Sequence, residues 1–263
     1  MFVALAAAAA LASTAYAQSL NLSSSCQSTL GSIATGPDGT CLNAAGLVTF
    51  ATVNSNSSLI TPLNSWLTGM CSQSQCSNQT LANIVSNITS GCSSDLSSLG
   101  FSSSSTSTVV SDVQQFYPTV REIVCLKNTT SNNLCATDLL TDVQNSVGTL
   151  SQNNLQQIVV SIIGGSQTLE SVLNSASCSD CFKAAYNVIN TNFPSLMTSA
   201  ERSNFTSTCG ANFTNGQNPS TVSQTAAGLS SANGSTSGAL AAFPVTSLAL
   251  ALSALASAFA FFA

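Results

Sequence analysis

The stretch CSDCFKAAYNVINTNFP, residues 178–194, joins a pair of cysteines to a helical apolar pattern. Its apolar side chains recur every three or four residues and stop before a proline, which is typical of a helix that buries one face; they are Phe182, Ala185, Tyr186, Ile189 and Phe193. On such a helix the sulfur atoms of Cys178 and Cys181 fall at adjacent positions, so they can reach two different partners. The stretch predicts a helix start that disulfide bonds attach to two neighbouring segments.

A C-x-x-C pair also occurs in redox catalysts and in zinc sites. A redox pair would need a thioredoxin-like βαβ context, which is absent around Cys178 and Cys181. A zinc site would need a second pair of ligands kept reduced, for which Cys71 and Cys76 are the candidates. Because thiolates compete poorly with oxidation during secretion, structural disulfides are favoured over both alternatives.

The helical period recurs elsewhere along the chain. The stretches concerned are 81–92, 109–124, 139–147 and 155–163, and a further helix is expected over 195–208. No strand alternation accompanies them. Since they are rich in Ser, Thr and Asn, which are mediocre helix formers, disulfides are expected to supply much of the stability. The predicted fold class is all-α: a disulfide-stapled helical bundle.

The cysteines are even in number, which favours five disulfides in a secreted chain; they are Cys26, Cys41, Cys71, Cys76, Cys92, Cys125, Cys135, Cys178, Cys181 and Cys209. Five fall in each half of the cysteine-rich domain 18–209, the halves being about 18–100 and about 108–209. With an odd number per half, at least one disulfide must join the halves. Both halves show the order two, close pair, one, which suggests either two related halves or a coincidence.

The two ends of the chain are typical of export and lipid anchoring. Residues 1–17 match a cleaved signal peptide, which is favoured over a buried Ala-rich helix. Residues 239–263 match a hydrophobic GPI-attachment tail, which is favoured over a transmembrane helix because no Lys or Arg flanks it. Asn233 is the preferred attachment residue and Ser237 the second choice. Between the domain and the tail, residues 210–238 are predicted to form a stalk rich in Ser, Thr and Asn.

Composition narrows the classes of function. The N-glycosylation sequons predict a glycosylated exterior; they begin at Asn21, Asn56, Asn78, Asn87, Asn128, Asn204 and Asn212, and Asn233 also starts one. The net charge is −5, and the chain holds only four Lys and Arg residues, which are scattered. Nucleic-acid binding and a basic membrane-surface patch both need clustered positive charge, so neither is expected.

Catalysis has few candidate residues. The chain has no histidine, so the usual hydrolase triads and histidine-bound metals are excluded, and oxidised cysteines are not nucleophiles. A glycosidase-like carboxylate pair remains possible in principle; the carboxylates are Asp38, Asp95, Asp112, Glu122, Asp138, Asp142, Glu170, Asp180 and Glu201. Helix caps and solvated helix faces explain them better. No catalytic residue, metal ligand or cofactor is predicted.

Three segments together resemble a known family. They are CSDCFKAAYNVINTNFPSL, CGANFTNGQNPS from Cys209, and LNSWLTGMCSQSQCSNQTLANIVSNITSGC in the first half. They resemble a family of fungal, mostly basidiomycete, secreted cysteine-rich proteins with GPI-type tails and no established activity. The resemblance covers about residues 20–225. It implies a location and a fold, and no functional residue is carried over from it.

The sequence therefore predicts a non-catalytic glycosylated protein of the plasma membrane surface or cell wall. Its role would be structural, or it would bind other molecules at the cell surface. A GPI anchor would attach it to the membrane, and its other partners would be wall glycans or an apolar ligand. One alternative is a carrier that binds a lipid, sterol or other apolar ligand in a helical pocket. A carbohydrate-active enzyme is the less favoured alternative.

Overall fold

The computed structural model describes residues 22–98, 101, 105–154 and 176–229. Several predicted features lie outside the described residues: the signal peptide, the helix at 155–163, Glu170, Asn21, Asn233, Ser237 and the GPI-attachment tail. The described chain is mostly helical. Its α-helices are α1 Ser24–Thr35, α2 Ala44–Thr52, α3 Ile60–Ser72, α4 Asn78–Gly91, α5 Ser93–Ser98, α6 Thr106–Val124, α7 Cys135–Val147, α8 Asp180–Asn192 and α9 Ser199–Cys209, with 3-10 helices at Pro37–Leu42 and Pro194–Leu196.

The chain divides into two compact units. Of the described residues, unit 1 holds those in 22–55 and 73–118, and unit 2 holds those in 56–72 and 119–229. This division differs from the predicted halves, because α3 comes from the first half of the sequence and belongs to unit 2. Helix α6 contributes its residues up to Pro118 to unit 1 and the remainder to unit 2.

Unit 1 is organised by α1 and α4. Helix α1 begins at Ser23, whose hydroxyl oxygen accepts a hydrogen bond from the Cys26 amide at 3.2 Å. Helix α4 buries the apolar face that the sequence predicts, with Leu81, Ile84 and Val85 at its centre. A cap at each helix start satisfies an amide that the helix itself leaves without a partner.

Helices α1 and α4 approach each other closely at one point. The disulfide Cys26–Cys92 joins them with a Cα–Cα distance of 4.3 Å. Next to it, a Cβ atom on Gly91 would lie only 1.9 Å from Thr29 Oγ1 and 2.7 Å from Thr29 Cβ. Only glycine fits at this position, since any side chain would occupy the space of Thr29.

Unit 2 is built around α3, α7 and α8. The largest core cluster contains Leu67, Met70, Cys71, Cys125, Leu134 and Ala226. A second cluster joins α7 to the start of α3 through Val143 and Leu150, against which Ile60 packs. Between these helices the Thr137 hydroxyl donates a hydrogen bond to Asn64 Oδ1 at 3.1 Å.

Unit 2 also contains a small β-sheet that the sequence does not predict. Strand β1, Leu126–Asn128, runs antiparallel to β2, Val222–Gln224, with Leu126 opposite Gln224. Each strand has three residues, which is too short for an alternating pattern to be recognised. The pairing places residues 210–229, assigned to the stalk from composition, within the fold of unit 2; the rest of that predicted stalk lies outside the described residues.

The predicted helix at 195–208 is present with a shifted start. A 3-10 turn at Pro194–Leu196 precedes α9, which begins at Thr198. There the Thr198 hydroxyl accepts from the Glu201 amide, and the Glu201 carboxylate accepts from the Thr198 amide. This reciprocal capping box explains why the helix begins there.

Candidate functional site

The cysteine pair at the head of α8 is structural. Ser179 caps the helix through its hydroxyl, which accepts from the Phe182 amide at 3.2 Å. Cys181 bonds to Cys135 at the start of α7, and Cys178 bonds to Cys209 at the end of α9. The prediction that the two sulfurs take two different partners is confirmed.

The other close pair divides in the same way. Cys71 bonds to Cys125, and Cys76 bonds to Cys41, while Cys26 bonds to Cys92. The Cys71–Cys125 bond joins the two sequence halves, as the odd cysteine count requires. Within the halves, the pairing of second with fourth cysteine recurs and the other pairings differ, so the duplication stays a hypothesis.

All ten cysteines of the chain are paired in these five disulfides. A disulfide sulfur is neither a nucleophile nor a thiolate metal ligand, so the cysteines offer no site of that kind. Within 22–98, 101, 105–154 and 176–229, no cluster of His, Cys, Asp or Glu side chains is arranged to hold a metal ion.

The Cys178–Cys209 bond lies beside a cluster of four aromatic side chains in unit 2. Phe205 of α9 contacts Tyr186 and Phe182 of α8 and also Phe213, with ring centroids 5.4, 6.0 and 5.5 Å away respectively. Tyr186 and Phe213 are buried. Aromatic contacts of this geometry stabilise packing beyond the area that they bury, so the cluster attaches α9 to α8.

Most described carboxylates have structural partners. Asp138 accepts from the Ser131 hydroxyl at 2.6 Å and from Asn133 Nδ2 at 2.9 Å. Asp180 accepts from the Thr221 hydroxyl, and Glu122 accepts from Asn192 Nδ2. These contacts connect loops and helix ends, whereas the sequence favours helix caps and solvated helix faces for these side chains.

Two carboxylates have shifted pKa values. Asp95 accepts from both the hydroxyl and the amide of Ser23, at 2.6 and 2.9 Å, and these hydrogen bonds to the charged form lower its pKa. Partial burial raises the pKa of Asp112 on α6. The Asp95 contacts attach α5 to the start of α1.

Arg121 of α6 is a buried cation in unit 2. Its side chain is 1% exposed, although the net charge of the chain gave no reason to expect a buried arginine. Its Nη2 donates to the carbonyl oxygens of Cys71 and Ala227, at 3.4 and 3.2 Å. The spacing in the sequence indicates this burial, because Arg121 follows Tyr117 by four residues and so lies on the apolar face of the helix.

The segment after β2 packs over the Cys71–Cys125 bond. The Ala227 amide donates to the Cys71 carbonyl at 2.7 Å, and the Thr225 amide and hydroxyl both donate to the Cys125 carbonyl. Ala226 joins the main core cluster between these bonds. The last described residues are therefore held against the main core cluster of unit 2.

A groove of about 360 Å³ lies in unit 1, between α1 and α4. Ser28, Ser32 and Asp38 line one side, and Asn87 and Ser90 line the other. Ile33 and Pro37 also contribute to the lining, which is therefore a mixture of polar and apolar groups. The sequence could not place these residues together, because disulfide connectivity cannot be deduced from spacing.

Six of the predicted sequons fall within the described residues. Asn56, Asn78, Asn87, Asn204 and Asn212 are exposed, and Asn128 is half-buried in β1. The hydroxyls of the sequon threonines Thr206 and Thr214 lie 3.0 Å apart.

No helix among the described residues has the length and hydropathy to cross a membrane. Comparison of the chain with protein-family models, with curated proteins and with solved structures finds no match.

Proposed function

We propose that this chain is a non-catalytic, glycosylated cell-surface protein with a structural or interaction role, held at the membrane or cell wall by a GPI anchor at Asn233. Its predicted signal peptide would direct it to the secretory pathway, where disulfides form and sequons are modified. Ser237 is the second choice of attachment residue.

The observation that carries the proposal is the complete pairing of the cysteines. Five disulfides in a chain of this length suit an oxidising, extracellular environment. In the chain-entropy model each disulfide stabilises the folded state by about 3–4 kcal/mol, because it lowers the conformational entropy of the unfolded chain. This stabilisation suits helices built largely from Ser, Thr and Asn, which have little helical preference of their own.

Surface chemistry agrees with the proposal. The exposed sequon asparagines are on both units, so glycans attached to them would cover much of each surface. The described carboxylates that have partners form helix caps and loop contacts. These contacts explain their presence without assigning them a catalytic role.

The anchor would hold unit 2 near the bilayer. Leu229 packs against the main core cluster, and Asn233 follows it by four residues. An extended chain covers about 3.3–3.6 Å per residue, so these residues reach at most about 14 Å. Attachment at Asn233 therefore predicts that unit 2 lies close to the headgroups, apart from the length of the anchor's own glycan.

Release by phosphatidylinositol-specific phospholipase C tests the anchor. Intact cells that express the full chain should release it into the medium as a glycosylated protein. A matched variant whose residues 239–263 are replaced by a charged-flanked transmembrane helix should be retained. Retention of the native chain, while a known GPI-anchored protein on the same cells is released, would overturn the anchor assignment.

A further inference from the structure

The groove of unit 1 has the asparagine of one sequon in its lining. Thr29, which also lines the groove, lies directly against Gly91 of α4. Two turns earlier on α4, Asn83 Nδ2 donates to Oδ2 of the lining residue Asp38 at 3.4 Å. Asn87 lies on α4 one turn after Asn83, and its exposed side chain lines the groove between these contacts.

The groove offers mainly hydrogen-bond acceptors. The Ser32 hydroxyl donates to the Ser28 carbonyl, and the Ser90 hydroxyl donates to the Ser86 carbonyl. Each hydroxyl proton is thus directed to the helix backbone, which leaves the oxygen lone pairs for a ligand. With the Asp38 carboxylate, these oxygens suit a neutral ligand rich in O–H and N–H donors and disfavour an anion.

The groove also has a suitable size and floor. Its volume of about 360 Å³ is near the lower end of the range for small-molecule sites, about 300–1,000 Å³. A Cβ atom on Gly36 would lie 2.6 Å from the Ser32 carbonyl oxygen, so the glycine keeps the loop close against α1. Ile33 and Pro37 add apolar contact of the kind that the C–H face of a sugar ring can use.

We propose that the groove binds the proximal sugar of the N-glycan carried by Asn87. That sugar is an N-acetylhexosamine, whose hydroxyls and acetamido N–H are donors, and its covalent link to the groove wall gives it a high effective concentration there. The glycan then acts as a packing element between α1 and α4, in addition to covering the surface. This inference rests on the glycosylation included in the proposed function.

Site-resolved deglycosylation tests the proposal. The full chain is expressed in a glycosylating eukaryotic host, purified from detergent-solubilised membranes and treated with peptide N-glycosidase under native conditions, and occupancy is followed by mass spectrometry. Asn78 is the matched control because it lies on the same helix, is exposed and is not in the groove. Two retained hydrogen bonds would slow release at Asn87 by about tenfold relative to Asn78, which corresponds to about 1.4 kcal/mol.

Variants separate a groove effect from general folding. Asp38→Ala and Ser90→Ala should raise the release rate at Asn87 toward that at Asn78 and leave the rate at Asn78 unchanged. Equal rates at both asparagines in the unmodified chain, or an unoccupied Asn87 beside an occupied Asn78, would overturn the proposal. Failure of the proposed function has a different signature, because the chain would then lack glycans at every sequon or stay on cells after phospholipase treatment.

Discussion

Replacing Gly91 by alanine tests the close approach of α1 and α4. The new Cβ would lie 1.9, 2.7 and 2.9 Å from the Oγ1, Cβ and Cγ2 atoms of Thr29. Because Thr29 is branched at Cβ, rotation of its side chain cannot clear all three contacts. The helices cannot separate freely either, since the Cys26–Cys92 bond holds their Cα atoms 4.3 Å apart. Overpacking of this kind costs about 1–3 kcal/mol, and the better helix propensity of alanine returns up to about 1 kcal/mol.

We therefore expect Gly91→Ala to lower the free energy of unfolding by about 1–2 kcal/mol, from the difference between these two terms. Urea unfolding followed by circular dichroism measures the loss, and hydrogen exchange with mass spectrometry locates it in α1 and α4. Gly31→Ala is the matched control, because a Cβ there meets nothing within 4 Å and should stabilise α1. Adding Thr29→Gly to Gly91→Ala removes the clash. The double variant should therefore regain the part of the free energy of unfolding that overpacking had removed. A Gly91→Ala chain as stable as Gly31→Ala would refute the reasoning.

Two further changes test the units separately. Replacing Cys71 and Cys125 by alanine should lower the free energy of unfolding by about 4 kcal/mol, as expected for a separation of 54 residues. The loss should exceed that from the same change at Cys178 and Cys209, because of these two pairs only the first belongs to a core cluster. Equal losses in urea unfolding would contradict this. Asp95→Ala should lower stability at neutral pH, because the hydrogen bonds from Ser23 favour the charged carboxylate and lower its pKa from the ordinary value of 3.8. That stability is present above the ordinary value and is lost as pH falls through the lowered one, so the difference from the unmodified chain should vanish in acid. Asp142→Ala, which removes an exposed carboxylate, is the control, and a difference that persists in acid would exclude the Asp95 contact as its cause.

The helices with strong apolar periods could be predicted from sequence. In α4 the pattern places Leu81 and Ile84 on one face, and the structure buries them. In α8 the prediction holds in part: Tyr186 is buried, the other predicted apolar residues of the helix are half-buried, and the rest of the buried face is Ala184, Asn187 and Val188. The helices between residues 22 and 72 escaped prediction because their patterns are weak. In α1 the fully buried residue is Cys26, so the helix is held by a disulfide bond and not by a row of buried apolar side chains that a pattern could reveal.

Contacts between distant segments could not be predicted. The Cys26–Cys92 bond joins the two helices that flank the groove of unit 1, and spacing does not specify that pairing. The position of residues 210–229 depends on backbone hydrogen bonds to Cys71 and Cys125, which leave no trace in composition. The hydrogen bonds of Arg121 could not be predicted either, since its partners are carbonyl groups remote in sequence.

The packing of Thr225–Leu229 over the Cys71–Cys125 bond has a mechanical meaning for a tethered protein. Tension applied beyond Leu229 would first load the Ala227–Cys71 hydrogen bond and the Arg121 contact, and next the two bonds from Thr225 to Cys125. The residues that receive this load are themselves joined by a covalent crosslink. A pull from the C-terminal side would thus be opposed by these hydrogen bonds before it reached the short β-sheet, and the disulfide would keep the residues that accept them in place.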